Sequence, residues 1–429
     1  MSFVARPDNS PRWADDLPEG WTADWVKWSV AFASAKPDGE DIEKLPYISN
    51  EDITSWTGKL LKEDPEPADK EGRLFLRGDV LFNKLRPYLA KVYHADFDGI
   101  SSGELLNLRA SERVLPRFLF HVLSSYPFID IINSESFGTK MPRADWETVG
   151  HQPLPLPDIA TQKRIAAYLD DKTTRIDALI EKKRALLDRL AEKRQALITR
   201  AVTRGLNPDA PLKDSGIDWL GKVPAHWEVK PLKFAGSVLQ GMTYSPEDVV
   251  EKGEGRLVIR ASNIQDGRLV HADDVFVSYE ANPPNITRAG DIIICSRNGS
   301  RHLIGKCATA TGEWVGETFG AFMTSVRSEH GAWLSWVLAS QIFEHQSGMF
   351  MSSTINQLTN STLKNMVVPL PPSTEQASVA EWLMPRVEHI YEAQDAVRGS
   401  IEKLTEYRAA LVTAAVTGKI KALNSPEGG

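Results

Sequence analysis

Apolar residues recur at heptad spacing along two stretches of the chain. In the first, Leu169, Ile176, Lys183, Leu190 and Leu197 form one row, with Ile180 and Leu187 in a second row beside it. In the second, Leu383, Ile390, Val397, Leu404 and Leu411 form the row and Ile401 lies alongside. Apolar heptads with charges elsewhere predict long helices that pack along one another. The two stretches align without a gap, Gln162 on Gln376 and Leu190 on Leu404. One such helix would bury its stripe against its own domain, but two in a single register predict a coiled coil between them. Pro157 and Pro371 stop the segments before the helices, and Ser373 with Gln376 has the spacing of a capping box. Pro385 falls inside the second pattern, so that helix is expected to kink or restart there.

The repeat extends beyond the helices. Trp13, Pro18, Trp21, Lys27 and Trp28 match Trp219, Pro224, Trp227, Lys233 and Phe234, so the two halves open alike. Farther on, Ser49-Asn50 matches Ser262-Asn263, and Gly78-Asp79 matches Gly290-Asp291. The register drifts only between openings and helices, as it does when loops of different length hang on one frame. In each variable region a Gly-Asp turn runs into a β-branched or apolar run, LFLRGDVLFNKLR and NITRAGDIIICSRNG, which predicts strands. LPRFLFHVLSSYPFIDIIN and GAWLSWVLASQIFEHQSG read as amphipathic helices in matching places. The mixture predicts α+β domains. Asn207 to Lys222 is polar, carries Pro and Gly, and reads as the linker between repeats.

Composition narrows the chemistry. With 429 residues there is room for two domains or more, and no run approaches the length of a membrane span. The N-terminal segment has no apolar core and is not expected to be a signal peptide. Cys295 and Cys307 are too few and wrongly spaced for a zinc site or disulfide framework, which points to a reducing compartment, the cytoplasm. The net charge of −7 argues mildly against nucleic acid, yet from Lys163 to Arg204 basic residues are twice as numerous as acidic ones. No P-loop is present, and the scattered His residues form no metal motif. Asn282-Pro283-Pro284 has the form of a methyltransferase N-P-P but is followed by Asn285 instead of an aromatic, and reads as a proline turn. Acidic and Lys residues at Glu247, Asp248, Glu251 and Lys252 read as a solvated loop. The chain is expected to catalyse nothing itself.

WLGKVPAHWEVKPLKF, GDIIICSRNG and the PLP-x4-Q helix starts together resemble the specificity (S) subunit of Type I restriction–modification systems, over essentially the whole chain. The resemblance implies two similar target-recognition domains joined by two long spacer helices packed as an antiparallel coiled coil, a pseudo-twofold internal repeat. The corresponding boundaries are recognition domains at 1–154 and 223–368, spacer helices at 155–206 and 369–423, a linker at 207–222 and a disordered tail at 424–429. It further implies a double-stranded DNA target in two parts with an unread gap. Two methyltransferase (M) subunits would dock on the chain, and restriction (R) subunits would join through them. S-adenosylmethionine, Mg and ATP would belong to those partners, with no cofactor in this chain. A helix of such length spans about 45–65 Å, on the order of one turn of DNA or more, and would act as a ruler. The alternatives from other classes are a scaffold that reads no sequence and a self-sufficient DNA methyltransferase.

Base edges and phosphates are contacted by Arg, Lys, Asn, Gln and small polar side chains from loops. After the first Gly-Asp strand the candidates are Asn83, Lys84, Arg86, Tyr88 and Lys91; after the second they are Ser296, Arg297, Asn298, Ser300, Arg301 and His302. A second loop in each half adds Lys140 and Arg143, and Ser353, Thr354, Asn356 and Gln357. Trp21, Trp28, Trp219 and Trp227 could stack on bases, but their recurrence at framework positions predicts core packing.

Overall fold

The computed structural model describes residues 16–62, 64–67, 70–138, 140–278, 283–350 and 357–424. They fall into two compact units of mixed helix and strand. The first takes in the described residues up to Arg184 and those from Arg398 onward, and the second runs from Ala185 to Val397.

In the first unit Val80–Asn83 is buried on both faces and so lies inside a four-stranded antiparallel sheet. Its neighbours are Val92–His94 on one side and Leu105–Ala110 on the other, with Val30–Phe32 outermost. Val80 stands opposite Leu108 and Asn83 opposite Leu105, while Val30 stands opposite Ala110. A smaller sheet pairs Gly99–Ser101 with Tyr47–Ile48 in parallel and with Arg73–Phe75 antiparallel. The opening strand Thr22–Trp25 pairs with Pro153–Leu156, the segment that leads into the first long helix. Helices Pro116–Leu123 and Tyr126–Ser134 each carry Pro in the first turn, where no backbone donor is lost.

The second unit is assembled the same way. Ile292–Cys295, again wholly buried, lies between Cys307–Thr309 and Met323–Arg327, with Ser237–Gln240 outermost. Glu228–Pro231 pairs with Val367–Leu370, and Arg256–Ile259 runs parallel to Thr318–Phe319. Helices Gly331–Leu338 and Gln341–Phe350 follow the sheet. Asn207–Lys222 departs from a plain linker: Leu212–Asp214 forms a hairpin with Lys222–Pro224, because Val223 and Pro224 are buried and hold the neighbouring strand.

The Gly-Asp turns explain themselves in three dimensions. Gly78 (φ 92°) and Gly290 (φ 85°) supply the left-handed conformation that other residues avoid. Asp79 then folds back to accept from the Leu76 amide at 2.8 Å, and Asp291 does the same for Arg288 at 2.8 Å. Both carboxylates are 2% exposed and each takes a two-pronged guanidinium from the last residues of the neighbouring strand. Arg109 reaches Asp79 at 2.8 and 2.7 Å, and Arg327 reaches Asp291 at 2.9 and 2.6 Å. Such forked pairs fix orientation as well as charge. Neither arginine carried a sequence motif that would have singled it out.

The long helices run from Ile159 to Arg204 and from Ser373 to Val416. In the first unit Ile165, Leu169, Ile176 and Ile180 of the first helix share one core with Leu411, Val412, Ala415 and Val416 of the second. In the second unit Ile198, Ala201 and Val202 share a core with Val379, Leu383 and Val387. Burial of the predicted seam is uneven. Leu169, Ile176, Ile180, Leu383, Ile390 and Leu411 are buried, whereas Leu187, Leu190, Leu197, Val397, Ile401 and Leu404 are half-buried. The second helix does not break at Pro385. That residue is exposed between buried Leu383 and Val387, so the proline ring lies on the outer side of the helix.

Capping differs from the expected box. Gln376 is turned away from Ser373: its Nε2 donates to Pro371 O at 2.8 Å and its Oε1 meets His330 Nδ1 at 3.1 Å. Gln162 in the first unit donates to Pro157 O at 2.9 Å and accepts from the Leu115 amide at 2.8 Å. The glutamine of PLP-x4-Q is thus a clasp between the helix start and the neighbouring loop. Asp158 caps the first helix, accepting from the Thr161 amide at 3.0 Å. The helix ends also pair with the openings. Gly205 (φ 68°) closes the first helix against Trp227, and Gly418 (φ 71°) follows the second against Pro18 and Trp21.

Candidate nucleic-acid interface

In the first unit the chain leaves the central strand at Asn83 and returns at Lys91, whose carbonyl accepts from the Asn83 amide at 3.0 Å. Two left-handed residues, Arg86 (φ 52°) and Ala90 (φ 46°), shape the loop between. The second candidate loop folds onto it. Arg86 N donates to Pro142 O at 2.7 Å, Ala144 N donates to Lys84 O at 3.0 Å, and Phe137 bridges Arg143. Lys84, Arg86, Tyr88, Lys140 and Arg143 therefore stand on two joined loops at one end of the sheet.

Their availability differs. Arg86, Tyr88 and Lys140 are exposed. Arg143 is held by Glu104, with both carboxylate oxygens at 2.9 and 2.8 Å from one guanidinium nitrogen. Lys84 is half-buried, and burial lowers its pKa, with Arg73 and Arg143 pushing the same way against Glu104. Asn83 departs from a reading role. It is buried, and its amide is spent on its own turn, donating to Leu85 O at 2.6 Å and accepting from Leu85 N at 3.1 Å. Lys91 is occupied too, its Nζ donating to Asn50 O at 2.7 Å.

The second unit repeats the arrangement with other side chains. Ser296 and Arg297 follow the central strand, Leu358 N donates to Ser296 O at 2.8 Å, and Arg297 bridges Gln357. Ser296 is buried and its hydroxyl donates to Phe322 O at 3.0 Å, so it is structural. Asn298 accepts from the Ser300 amide at 2.9 Å and shapes the turn. Arg297, Ser300, Arg301 and His302 are exposed, and Gln357 is half-buried. Ser353, Thr354 and Asn356 lie outside the described residues. A residue missed in the sequence completes this tip: Phe322, 57% exposed, receives both the Ser296 and Arg297 amides on its carbonyl. The Arg297 guanidinium lies over its ring, 5.2 Å from the centroid. Glu104 holds the same place in the first unit, its carbonyl accepting from Lys84 N at 2.9 Å.

Residues 32–189, which contain the first of these tips, match the family model described as Type I restriction modification DNA specificity domain. The matched residues lie almost wholly within the first unit. The chain is similar to the EcoKI specificity subunit of the Type I restriction enzyme of Escherichia coli (strain K12), 26% identical over 216 residues covering 47% of this chain and 44% of that one. The StySPI specificity subunit of Salmonella potsdam is similar to it at 25% over the same shares. The chain thus spans less than half the length of these two relatives. The MjaVIII specificity subunit of Methanocaldococcus jannaschii is 23% identical over 424 residues, 95% of each chain. A solved structure described as "Structural basis underlying complex assembly and conformational transition of the type I R-M system" contains a chain of the same fold. Its TM-score is 0.67 at 21% identity, covering 94% of this chain and 100% of that one.

In the two units the framework aromatics divide. Trp227 is fully buried, edge-to-face with Trp333 at 5.5 Å, and donates from Nε1 to Glu375 at 3.0 Å. Trp21 and Trp219 pack half-buried on the two cores, and Trp13 lies outside the described residues. Trp28 departs from core packing at 52% exposed. The two cysteines are buried, and burial pushes their thiols up to about 11 for Cys295 and about 12 for Cys307. Neither is a nucleophile at neutral pH. Among the described residues no group of three or more His, Cys, Asp or Glu could hold a metal ion, and no helix is long and apolar enough to cross a membrane.

Proposed function

We propose that the chain is the non-catalytic, sequence-reading subunit of a Type I restriction–modification complex, at work in the cytoplasm. Each unit reads one half of a split double-stranded DNA target with its paired loops, Arg86, Tyr88, Lys140 and Arg143 in the first and Arg297, Ser300, Arg301, His302 and Gln357 in the second. The two long helices form an antiparallel coiled coil on a pseudo-twofold axis, and they set the unread gap. Two methyltransferase subunits dock on this chain and bring S-adenosylmethionine, and restriction subunits join through them with Mg and ATP.

One observation carries the reading. In both units the same backbone bonds join the same two loops at the same end of a sheet of one topology, while the side chains on those loops differ. A constant frame with unlike polar tips is what reading two different half-sites requires. Support for the paired helices comes from the two cores, each of which takes the start of one helix and the end of the other.

Mapping methylated adenines in DNA from cells carrying the complex tests the whole reading. A motif of two defined parts separated by a fixed unread gap is expected. Methylation at a single continuous motif, or none, refutes it. With a net charge of −7, the chain alone is expected to bind DNA weakly, since partner subunits would supply most phosphate contacts.

A further inference from the structure

The exposed ring of Trp28 has a counterpart. Lys27-Trp28 aligns with Lys233-Phe234 in the second opening, and Phe234 is 67% exposed. The flanking residues are tightly held in both units: Val26 and Ser29 at 0% and 1%, Leu232 and Ala235 at 0% and 6%. The short helical turns Val26–Ser29 and Leu232–Phe234 are therefore anchored at both ends, and the lysine and ring between are held outward. Lys27 is braced by His151, and Lys233 donates to Asn365 Oδ1 at 3.1 Å while lying over the Phe234 ring at 5.3 Å.

The register places these rings away from the reading loops. Val30 pairs with Ala110, at the end of its strand opposite to Leu105 and Asn83. Ser237 pairs with Arg327, at the end opposite to Met323 and Cys295. In each unit the lysine–aromatic pair thus precedes the outermost strand at the far end of the sheet from the candidate DNA contacts. An exposed aromatic by itself is ordinary. An exposed aromatic with a lysine next to it in the chain, Trp28 in one repeat and Phe234 in the other, recurs at the same place in two repeats whose tips differ, and that calls for one partner met twice.

We infer that Lys27-Trp28 and Lys233-Phe234 are two equivalent docking points, each taking one copy of the same protein through an apolar socket rimmed by carboxylates. The inference rests on the reading above, in which that protein is the methyltransferase subunit. Aromatic side chains are enriched at the centre of such contacts, and the lysines give each site a positive rim.

The full chain, Trp28→Ala, Phe234→Ala, both together, and Trp28→Phe are each mixed with the purified methyltransferase subunit of the same system. Native mass spectrometry counts the subunits bound and sedimentation gives their affinities. The unaltered chain and Trp28→Phe are expected to take two copies. Each alanine variant should hold one copy normally and the other about tenfold or more weakly, and the double variant should hold both weakly. Thermal unfolding of all the chains should coincide. Normal uptake of two copies by the double variant overturns the inference, as does a lowered melting temperature that accounts for the loss. Normal assembly with weakened DNA binding also overturns it, by placing the rings against nucleic acid. Failure of the unaltered chain to take up any methyltransferase subunit would instead remove the proposed function on which the inference rests.

Discussion

The tip of the first unit and the tip of the second hang on equivalent backbone bonds and present unlike chemistry. In the first, Glu104 grips Arg143, and the free polar reach lies with Arg86, Tyr88 and Lys140. In the second the equivalent place holds Phe322, an apolar plate under Arg297. Apart from the two exposed lysine–aromatic pairs, what recurs between the units is largely buried: the carboxylates of the forked Asp–Arg pairs, the glutamine clasps, the helix-end glycines against the openings. What differs is exposed. A duplicated chain can change its tips freely only if nothing in the frame depends on them.

That separation can be broken from the frame inward. Leu169 and Leu383 are equivalent and 0% exposed, so Leu169→Asp or Leu383→Asp should cost more than about 4 kcal/mol and abolish folding of its unit, read by loss of cooperative thermal unfolding. At the half-buried Leu190 and Leu404 the same change should cost only about 1–2 kcal/mol. Equal effects at the four positions would mean that burial in the seam is uniform. Next come the forked pairs. Asp291→Ala strands a guanidinium only 19% exposed and should cost about 3–5 kcal/mol; Asp79→Ala, whose Arg109 is 45% exposed, should cost less. Denaturant unfolding that ranks them the other way would contradict the burial argument.

Changes at the tips should be smaller and one-sided. Arg297→Ala should weaken binding of the assembled complex by about 1–3 kcal/mol and relax one half of the target, leaving the other half as strictly read as before. Undiminished affinity in a footprint titration would remove Arg297 from the reading set.

The smallest expected effect separates the units by pH. Asp170, on the first long helix, meets His121 and Arg117 at 2.8 Å, while the aligned position in the second unit is Met384. Burial alone would raise the Asp170 pKa, but the hydrogen bonds from His121 and Arg117 outweigh it and hold the carboxyl at about 2. Burial likewise lowers the pKa of His121. A carboxyl depressed below its ordinary value of about 3.9 contributes its stability in full above that pH and loses it as pH falls toward about 2. Between those limits, hydrogen exchange around Asp170 should loosen more steeply in the native chain than in Asp170→Asn, where only protonation of His121 remains.

The sequence made the repeat, the two helices and the Gly-Asp strands legible, because each rests on spacing that local chemistry enforces. It misled where a side chain answers a distant partner. Asn83 and Ser296 look like base readers by type and position, yet Asn83 is consumed by the backbone of its own turn and Ser296 by the distant carbonyl of Phe322. Gln376 has capping-box spacing, but the carbonyl of Pro371 and the ring of His330 claim it. Arg109, Arg327 and Phe322 lie in strands or loops with no motif, and only the register places them beside Asp79, Asp291 and Arg297. Of the kink or restart that Pro385 allowed, the restart does not occur, and Leu383 and Val387 are buried on the opposite side of a continuous helix.

The first unit's core includes Leu411, Val412, Ala415 and Val416, made more than two hundred residues after the strands they cover. During synthesis, then, the domain that emerges first is the last to close, since its core stays incomplete until those residues are made. A message cut short just before Leu411 would spare the half translated later and cripple the half translated earlier.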